Sequence, residues 1–297
     1  MGGYMTREED LAYIGGLMDG DGSFTVARRQ NKEGLNPLYY PFIQFGSSGK
    51  ESTQLMKDKF EGNIFFSKSH TKKDGINRKD FFHWTLEKSG KCLPFLETVI
   101  PYLEIKRERA EFLKEFILKN PFKRGSNPLT REVLESREAD YLKMRAFNDE
   151  RTFKRPLVKQ SRHITEDSQF WAYLAGLLDS DGSFSIKKEK RKVHSAQILL
   201  TQTDIRGINK IRKNICLGTV FLVKAKTAQL KSCYRYGVYT REELMILLPR
   251  VIPFLRVKKM QAEVLLEFCQ NFTPVQNRRN GIPQEELNIR ESYYIKV

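Results

Sequence analysis

Cysteine is scarce in this chain of 297 residues: Cys92, Cys216, Cys233 and Cys269 are scattered with no C-x-x-C pair. That argues against a disulfide framework and a zinc site, and the four read as reduced core thiols. Histidine is as sparse, and His70, His83, His163 and His194 have no spacing suited to a metal centre or a nucleophile with its base. There is no glycine-rich phosphate loop, and no long apolar run or basic amphipathic anchor supports a membrane. The opening stretch MGGYMTREEDL has no apolar signal segment, and its acidic residues argue against a transit peptide. Negative charge is short too: 36 acidic against 52 basic side chains leave a net charge of +16. Such a surplus predicts a polyanionic partner, and with the membrane unsupported that partner is nucleic acid.

What the chain does have is enough apolar residue for a core (40% hydrophobic, 11% aromatic), length for two domains, and an internal repeat that says where to divide it. The stretch Tyr13 to Phe24, YIGGLMDGDGSF, returns as Tyr173 to Phe184, YLAGLLDSDGSF. Each copy is an apolar run that stops at Asp-x-Asp-Gly-Ser-Phe and then alternates, which reads as helix, sharp stop, strand. Glycine inside a helix costs about 1 kcal/mol relative to alanine. The small residues Gly15 and Gly16, matched by Ala175 and Gly176, therefore predict close approach of helix backbones; the alternative is a helix packed tightly on its own sheet. Parallel packing of the two helices would set Asp21 beside Asp181, a symmetric carboxylate site suited to a divalent ion. An EF-hand is excluded, because its glycine and glutamate positions hold Phe24 and Gln30 in one copy and Phe184 and Lys190 in the other.

Thr6 and Glu9 form a capping box ahead of the first motif helix, and Thr165 to Asp167 supply caps ahead of the second. After each motif the pattern alternates, with Phe24, Val26, Phe184 and Ile186 facing a core. Second strands follow at Tyr39 to Phe45 and Gln197 to Thr201, then a helix in each half, the latter marked by Ile205, Ile208, Ile211 and Ile215. Two more strands come next, Ile64 to Ser69 with Phe81 to Leu86, and Thr219 to Lys224 with Tyr234 to Tyr239. A second repeated block, PYLEIK ending at Lys106 and PFLRVK ending at Lys258, precedes a long charged helix in each half. Thr130 to Phe147 reads as an additional helix with a shorter counterpart from Pro283 to Tyr293. The expected division is an N-terminal domain over 1–148, a basic linker over 149–165 and a C-terminal domain over 166–297.

Strands with one apolar face need helices on that face and leave the other to solvent. The outward faces supply the candidate nucleic-acid contacts: Arg29, Tyr40, Gln44, Lys68, His70 and Lys72 in the first half, and Lys187, Glu189, Arg191, Lys224, Lys226 and Arg235 in the second. Arginine and lysine suit guanine edges or phosphates, and glutamine suits adenine. The face of the third and fourth strands stays open by one residue, which swaps every contact there.

The two motif copies resemble the signature of the LAGLIDADG homing endonucleases, in the form with two copies in one chain. Ile14 to Gly22 and Leu174 to Gly182 can each be read against it, with Ser-Phe after both. The departures are mild: Gly15 for alanine, Met18 and Leu178 for isoleucine, Gly20 and Ser180 for the second alanine. The resemblance implies an α+β fold, a pseudo-twofold pair of αββαββα domains whose four-stranded antiparallel sheets form a DNA-binding saddle. It implies a monomer that makes a site-specific double-strand break in a long duplex DNA target by Mg²⁺-dependent hydrolysis, with Mn²⁺ or Ca²⁺ as substitute ions. Asp21 and Asp181 are then the metal ligands, assisted by the backbone carbonyls of Gly20 and Ser180. Lys106 and Lys258 match the family's catalytic lysine, Gln202 its water-ordering glutamine, and Arg206 a basic residue one turn on. The first half has Ser47 and Glu51 at those last two places, which bears on whether both strands are cut at equal rates. Asp19 and Asp179 read as structural residues at the helix ends. By resemblance, the gene belongs to a mobile intron or intein, in a chloroplast or mitochondrion or in a microbe.

Two rival readings stand beside this one. An RNA maturase that assists splicing of intron RNA fits the charge equally well. A DNA-binding protein on the same scaffold with lapsed catalysis predicts loss of a motif carboxylate, whereas both are present.

Overall fold

The structure, a computed structural model, describes residues 5–30, 36–68, 70–71, 77–78, 80–121, 130–147, 156–188, 194–225, 231–272 and 282–297. The first half runs α1 (Arg7–Asp21), β1 (Ser23–Arg29), β2 (Leu38–Ser47), α2 (Lys50–Phe60) and β3 (Asn63–Ser67). A short ribbon of β4 (His70–Thr71) and β5 (Asn77–Arg78) follows, then β6 (Phe81–Leu86), α3 (Ser89–Val99), α4 (Arg107–Lys119) and α5 (Arg131–Ala146). The second half runs α6 (Ser168–Asp181), β7 (Gly182–Lys188), β8 (His194–Gln202), α7 (Ile205–Asn214), β9 (Thr219–Val223), β10 (Cys233–Val238), α8 (Arg241–Val251), α9 (Lys259–Asn271) and α10 (Gln284–Lys296). Two four-stranded antiparallel sheets result, ordered β1-β2-β6-β3 and β7-β8-β10-β9. The fold is α+β, with helix, two strands, helix, two strands and helix in each half, as the sequence predicts.

Helices α3 and α8 are additions to the sequence reading. Each holds a proline, Pro94 at the middle of α3 and Pro249 in the last turn of α8, which looks like a break because it removes a backbone donor. Burial outweighs that loss, since Cys92, Phe95, Leu96 and Val99 on α3, and Leu244, Leu247, Leu248 and Val251 on α8, lie in the core. A buried side chain of this kind contributes about 1.5–3 kcal/mol. The charged helices expected after the PYLEIK and PFLRVK blocks are therefore α4 and α9, one place later in the order.

The chain divides into two compact units, Leu17–Arg151 and Met1–Gly16 with Thr152–Val297. In the Leu17–Arg151 unit, Phe24, Val26, Ile43, Phe45, Trp84 and Leu86 form the inner face of the sheet under α3 and α4. Gly62 has φ +88° and lies under Trp84, and a side chain there would meet Trp84 Nε1 at 2.6 Å. The other unit repeats the device with Gly218, φ +77°, under the buried Tyr236 ring, so both turns need glycine.

In each unit a glutamate on a late helix is bonded to the sheet. In the Leu17–Arg151 unit, Glu138 on α5 accepts from the Tyr39 hydroxyl and pairs with Arg28 at 3.5 Å. In its counterpart, Glu291 on α10 binds His194 Nε2 at 2.9 Å and Lys188 at 2.7 Å. Within the unit that holds Met1–Gly16, α1 lies against α6: a Cβ on Gly16 would collide with the Tyr173 carbonyl oxygen and stand 2.7 Å from Leu177 N. That is the close backbone approach the paired small residues predict.

Of the cysteines, Cys92 and Cys269 are buried, and burial pushes both thiols up to about 12, which keeps them protonated. Cys216 is exposed and Cys233 half-buried, so only two of the four are core thiols. Among the described residues no helix is long and apolar enough to cross a membrane.

Candidate active site and nucleic-acid face

The capping box starts α1 as read: Thr6 N donates to Glu9 at 2.7 Å and Glu9 N to Thr6 Oγ1 at 3.3 Å. The other end of that helix holds the chemistry. Asp19 is buried, and its two oxygens accept from three consecutive backbone N–H groups, Glu104 at 2.7 Å, Ile105 at 3.0 Å and Lys106 at 2.8 Å. Asp179 does the same with Arg256 at 2.8 Å, Val257 at 3.1 Å and Lys258 at 2.8 Å, and also accepts from the Tyr13 hydroxyl at 2.7 Å. Successive N–H groups form a cradle for an anion, so each repeated block supplies a nest and each motif helix supplies the carboxylate that fills it. These aspartates are structural anchors.

The lysines that end the nests turn back on the same helix. Lys106 Nζ donates to the carbonyls of Met18 at 3.0 Å, Gly20 at 2.5 Å and Gly22 at 2.6 Å. Lys258 Nζ meets the matching carbonyls of Leu178 at 2.9 Å, Ser180 at 3.1 Å and Gly182 at 2.7 Å. Both ammonium groups thus cap carbonyls at the negative pole of a helix, including those of Gly20 and Ser180.

Two residues beyond each anchor stand the exposed aspartates, Asp21 and Asp181. Gln202, the last residue of β8, donates from Nε2 to Asp181 Oδ2 at 2.7 Å. Strand register puts Ser47 in the matched place, since Phe24 pairs with Ile43 and Phe184 with Ile198. Ser47 is buried and its Oγ accepts from Gly49 N at 3.1 Å. Arg206 forms a two-pronged pair with Asp204, Nε to Oδ1 at 3.0 Å and Nη2 to Oδ2 at 2.6 Å, and Asp204 also caps α7. Among the described residues no group of three or more His, Cys, Asp or Glu side chains could hold a metal ion. A hard divalent ion needs no such cage when one or two carboxylates, waters and substrate phosphates complete its shell. The donors at each motif helix end, a carboxylate and backbone carbonyls, are all oxygen and fit such an ion.

Pairing also settles the strand faces. In the Leu17–Arg151 unit the outward positions are Arg29 on β1, Tyr40 and Gln44 on β2, His83 on β6 and Phe65 on β3. In the other unit they are Lys187 on β7, Thr201 on β8, Arg235 on β10 and Phe221 on β9. Lys68 and Lys224, both exposed, follow β3 and β9 in matched places. Lys72, Glu189, Arg191 and Lys226 lie outside the described residues, as does the side chain of His70. Sequence reading passed over His83, Phe65 and Phe221, because the face of those strands is fixed only by their pairing. Asp204 was missed as well, although an aspartate just ahead of a helix is a capping signal.

No protein-family model matches the sequence, and comparison with curated proteins gives no match. Solved structures do match. The LAGLIDADG homing endonuclease I-GzeII in complex with its DNA target is 15% identical with a TM-score of 0.66, covering 97% of this chain and 97% of that one. I-SmaMI bound to uncleaved DNA target in the presence of calcium ions is 16% identical with a TM-score of 0.66, over 96% of this chain and 97% of that one. The LAGLIDADG homing endonuclease I-LtrWI bound to target DNA is 17% identical with a TM-score of 0.64, over 98% of both chains. The chain has the fold of these single-chain proteins over nearly its whole length.

Proposed function

We propose that the protein is a LAGLIDADG homing endonuclease: a monomer that makes a double-strand break at a specific site in duplex DNA by metal-dependent hydrolysis. The observation that carries this reading is the twice-built helix end, in which a buried aspartate is locked into a backbone nest and an exposed one, Asp21 or Asp181, follows two residues later. The fold shared with DNA-bound endonucleases and the net charge of +16 support it. The RNA maturase reading draws no comparable support, since the nucleic acid named in these similar structures is DNA.

In this reading Asp21 and Asp181 hold divalent metal, Mg²⁺ or a substitute, with the carbonyls of Gly20 and Ser180 as further oxygens. When bound, the ion supplies an activated water, a clamp on the charge of the transferring phosphoryl group and help for the leaving oxygen. Gln202 orients the Asp181 carboxylate through its amide. Lys106 and Lys258 keep the preceding carbonyls aligned and bring positive charge beside the place where negative charge develops. Asp204 fixes the Arg206 guanidinium at the start of α7, and Ser47 takes the place of the glutamine in the first half. Outward side chains Arg29, Tyr40, Gln44, Lys68, Lys187, Lys224 and Arg235 contact DNA.

The test is cleavage of a randomised duplex-DNA library with Mg²⁺, Mn²⁺, Ca²⁺ or no metal, comparing the natural chain with Asp21→Asn and Asp181→Asn. One long target cut on both strands with Mg²⁺ and spared by each variant is the expected result. Duplex binding without cleavage under every ion would instead establish a lapsed nuclease.

A further inference from the structure

The two sheets put different chemistry into one equivalent slot. On β6, His83 lies opposite Gly46 of β2 and Phe65 of β3; on β10, Arg235 lies opposite Thr201 of β8 and Phe221 of β9. Counting from the matched motif strands, Gly46 and Thr201 are equivalent, so His83 and Arg235 occupy the same position of their outward faces.

An exposed phenylalanine lies opposite each, Phe65 or Phe221, and the difference is in the polar surroundings. His83 Nδ1 is 3.1 Å from Gln44 Nε2. With the amide donating, Nδ1 is the acceptor and the neutral ring carries its hydrogen on Nε2. The pair then keeps an acceptor, Gln44 Oε1, and two donors, His83 Nε2–H and the second amide hydrogen of Gln44; the acceptor with either donor complements the N6–H donor and N7 acceptor of adenine in the major groove. Phe81 stacks edge-on to His83 with ring centroids 4.9 Å apart, and Phe65, directly opposite, is 54% exposed. The exposed Phe65 ring beside an adenine reader suits the C5 methyl of its paired thymine, the one apolar group on the major-groove edge. Arg235 is exposed, has donors only, and is paired across the strands with Phe221 and Thr201. A guanidinium with two parallel N–H groups matches O6 and N7 of guanine.

We infer that this slot selects an A·T pair under the first sheet and a G·C pair under the second, so that His83 and Arg235 are specificity determinants of a composite target. The inference rests on the proposed site-specific DNA binding and adds the class of base at each slot.

The experiment selects bound duplexes from a randomised library with Ca²⁺ present, using the natural chain, His83→Arg and Arg235→His. The expected result is one position of the natural site that prefers A·T and shifts to G·C with His83→Arg, by about tenfold in relative affinity. A second position in the other half moves the opposite way with Arg235→His. Replacing the selected thymine by deoxyuridine removes only its methyl and weakens binding by the natural chain about threefold, a measurement that needs no variant to fold. Recovery of a site whose base preferences are the same in all three proteins overturns this inference and leaves the nuclease reading intact. Recovery of no site by the natural chain overturns both.

Discussion

The amide of Gln202 donates to the carboxylate of Asp181 at 2.7 Å, while Ser47, in the matched place of the first half, accepts from the N–H of Gly49 at 3.1 Å. A partner that orients a metal-binding carboxylate typically sets ten- to a hundredfold in affinity or activity. Gln202→Ala is therefore expected to slow cleavage of one strand about 10–100-fold, raising the Mg²⁺ needed for it. Nicked intermediates of a supercoiled target, followed over time at graded Mg²⁺, report this directly; equal slowing of both strands would count against it.

Replacing Asp19 or Asp179 with asparagine leaves one good acceptor where three backbone N–H groups converge. Each hydrogen bond to a charged group contributes about 1.5–3 kcal/mol, so each variant is expected to lose about 2–4 kcal/mol in urea unfolding. Asp21→Asn, at an exposed position, stays within about 0.5 kcal/mol of the natural chain. The contrast separates anchors from chemistry.

Lys106→Met removes an ammonium from three helix-end carbonyls while keeping most of the stem. The expected cost is about 1–2 kcal/mol, seen as faster hydrogen exchange in the last turn of α1. Unchanged exchange would mean that the lysine does not hold the helix end.

Gly16→Ala puts a methyl group into the Tyr173 carbonyl. Backbone cannot move aside as a flexible side chain can, so a loss of about 3 kcal/mol or more is expected. Thermal unfolding measures it, and a neutral result would sink the close-packing account.

Glu291 is held below its ordinary value of 4.5, first by the hydrogen bond from Lys188 and then by His194. A carboxylate with a depressed folded value stabilises when ionised: its contribution is full above pH 4.5 and is lost as pH falls through the lowered value. Docking of α10 should accordingly loosen at acid pH, and Glu291→Gln should flatten that dependence. Hydrogen exchange along α10 between pH 3 and 6 is the check.

The repeat made most of this legible. Two copies of a helix-stop-strand motif, with alternation after each, are local patterns, and they gave the motif helices, the strand pairs and Asp21 with Asp181 as candidates. Helices α3 and α8 were hidden because Pro94 and Pro249 look like breaks when burial is not yet known. The tasks of Lys106 and Lys258 were hidden for another reason: their acceptors lie more than seventy residues away along the chain, at the helix ends. The same holds for Glu138 and Glu291, separated from their strand partners by 99 and 97 residues. His83 escaped because a one-residue uncertainty in register turns an outward side chain inward.

The partition of α1 has a consequence for synthesis. Chains emerge from the ribosome N-terminus first, and domains usually fold as they emerge. Here Met1–Gly16 clusters with Thr152–Val297, so the start of α1 waits for the second half of the chain before it is buried. Until α6 is translated, Tyr13, buried in the finished protein, lacks Asp179, the acceptor of its hydroxyl. A nascent chain arrested before α6 should be held by chaperones and cut readily near Gly16, and release from both should come only after Tyr173 has left the exit tunnel.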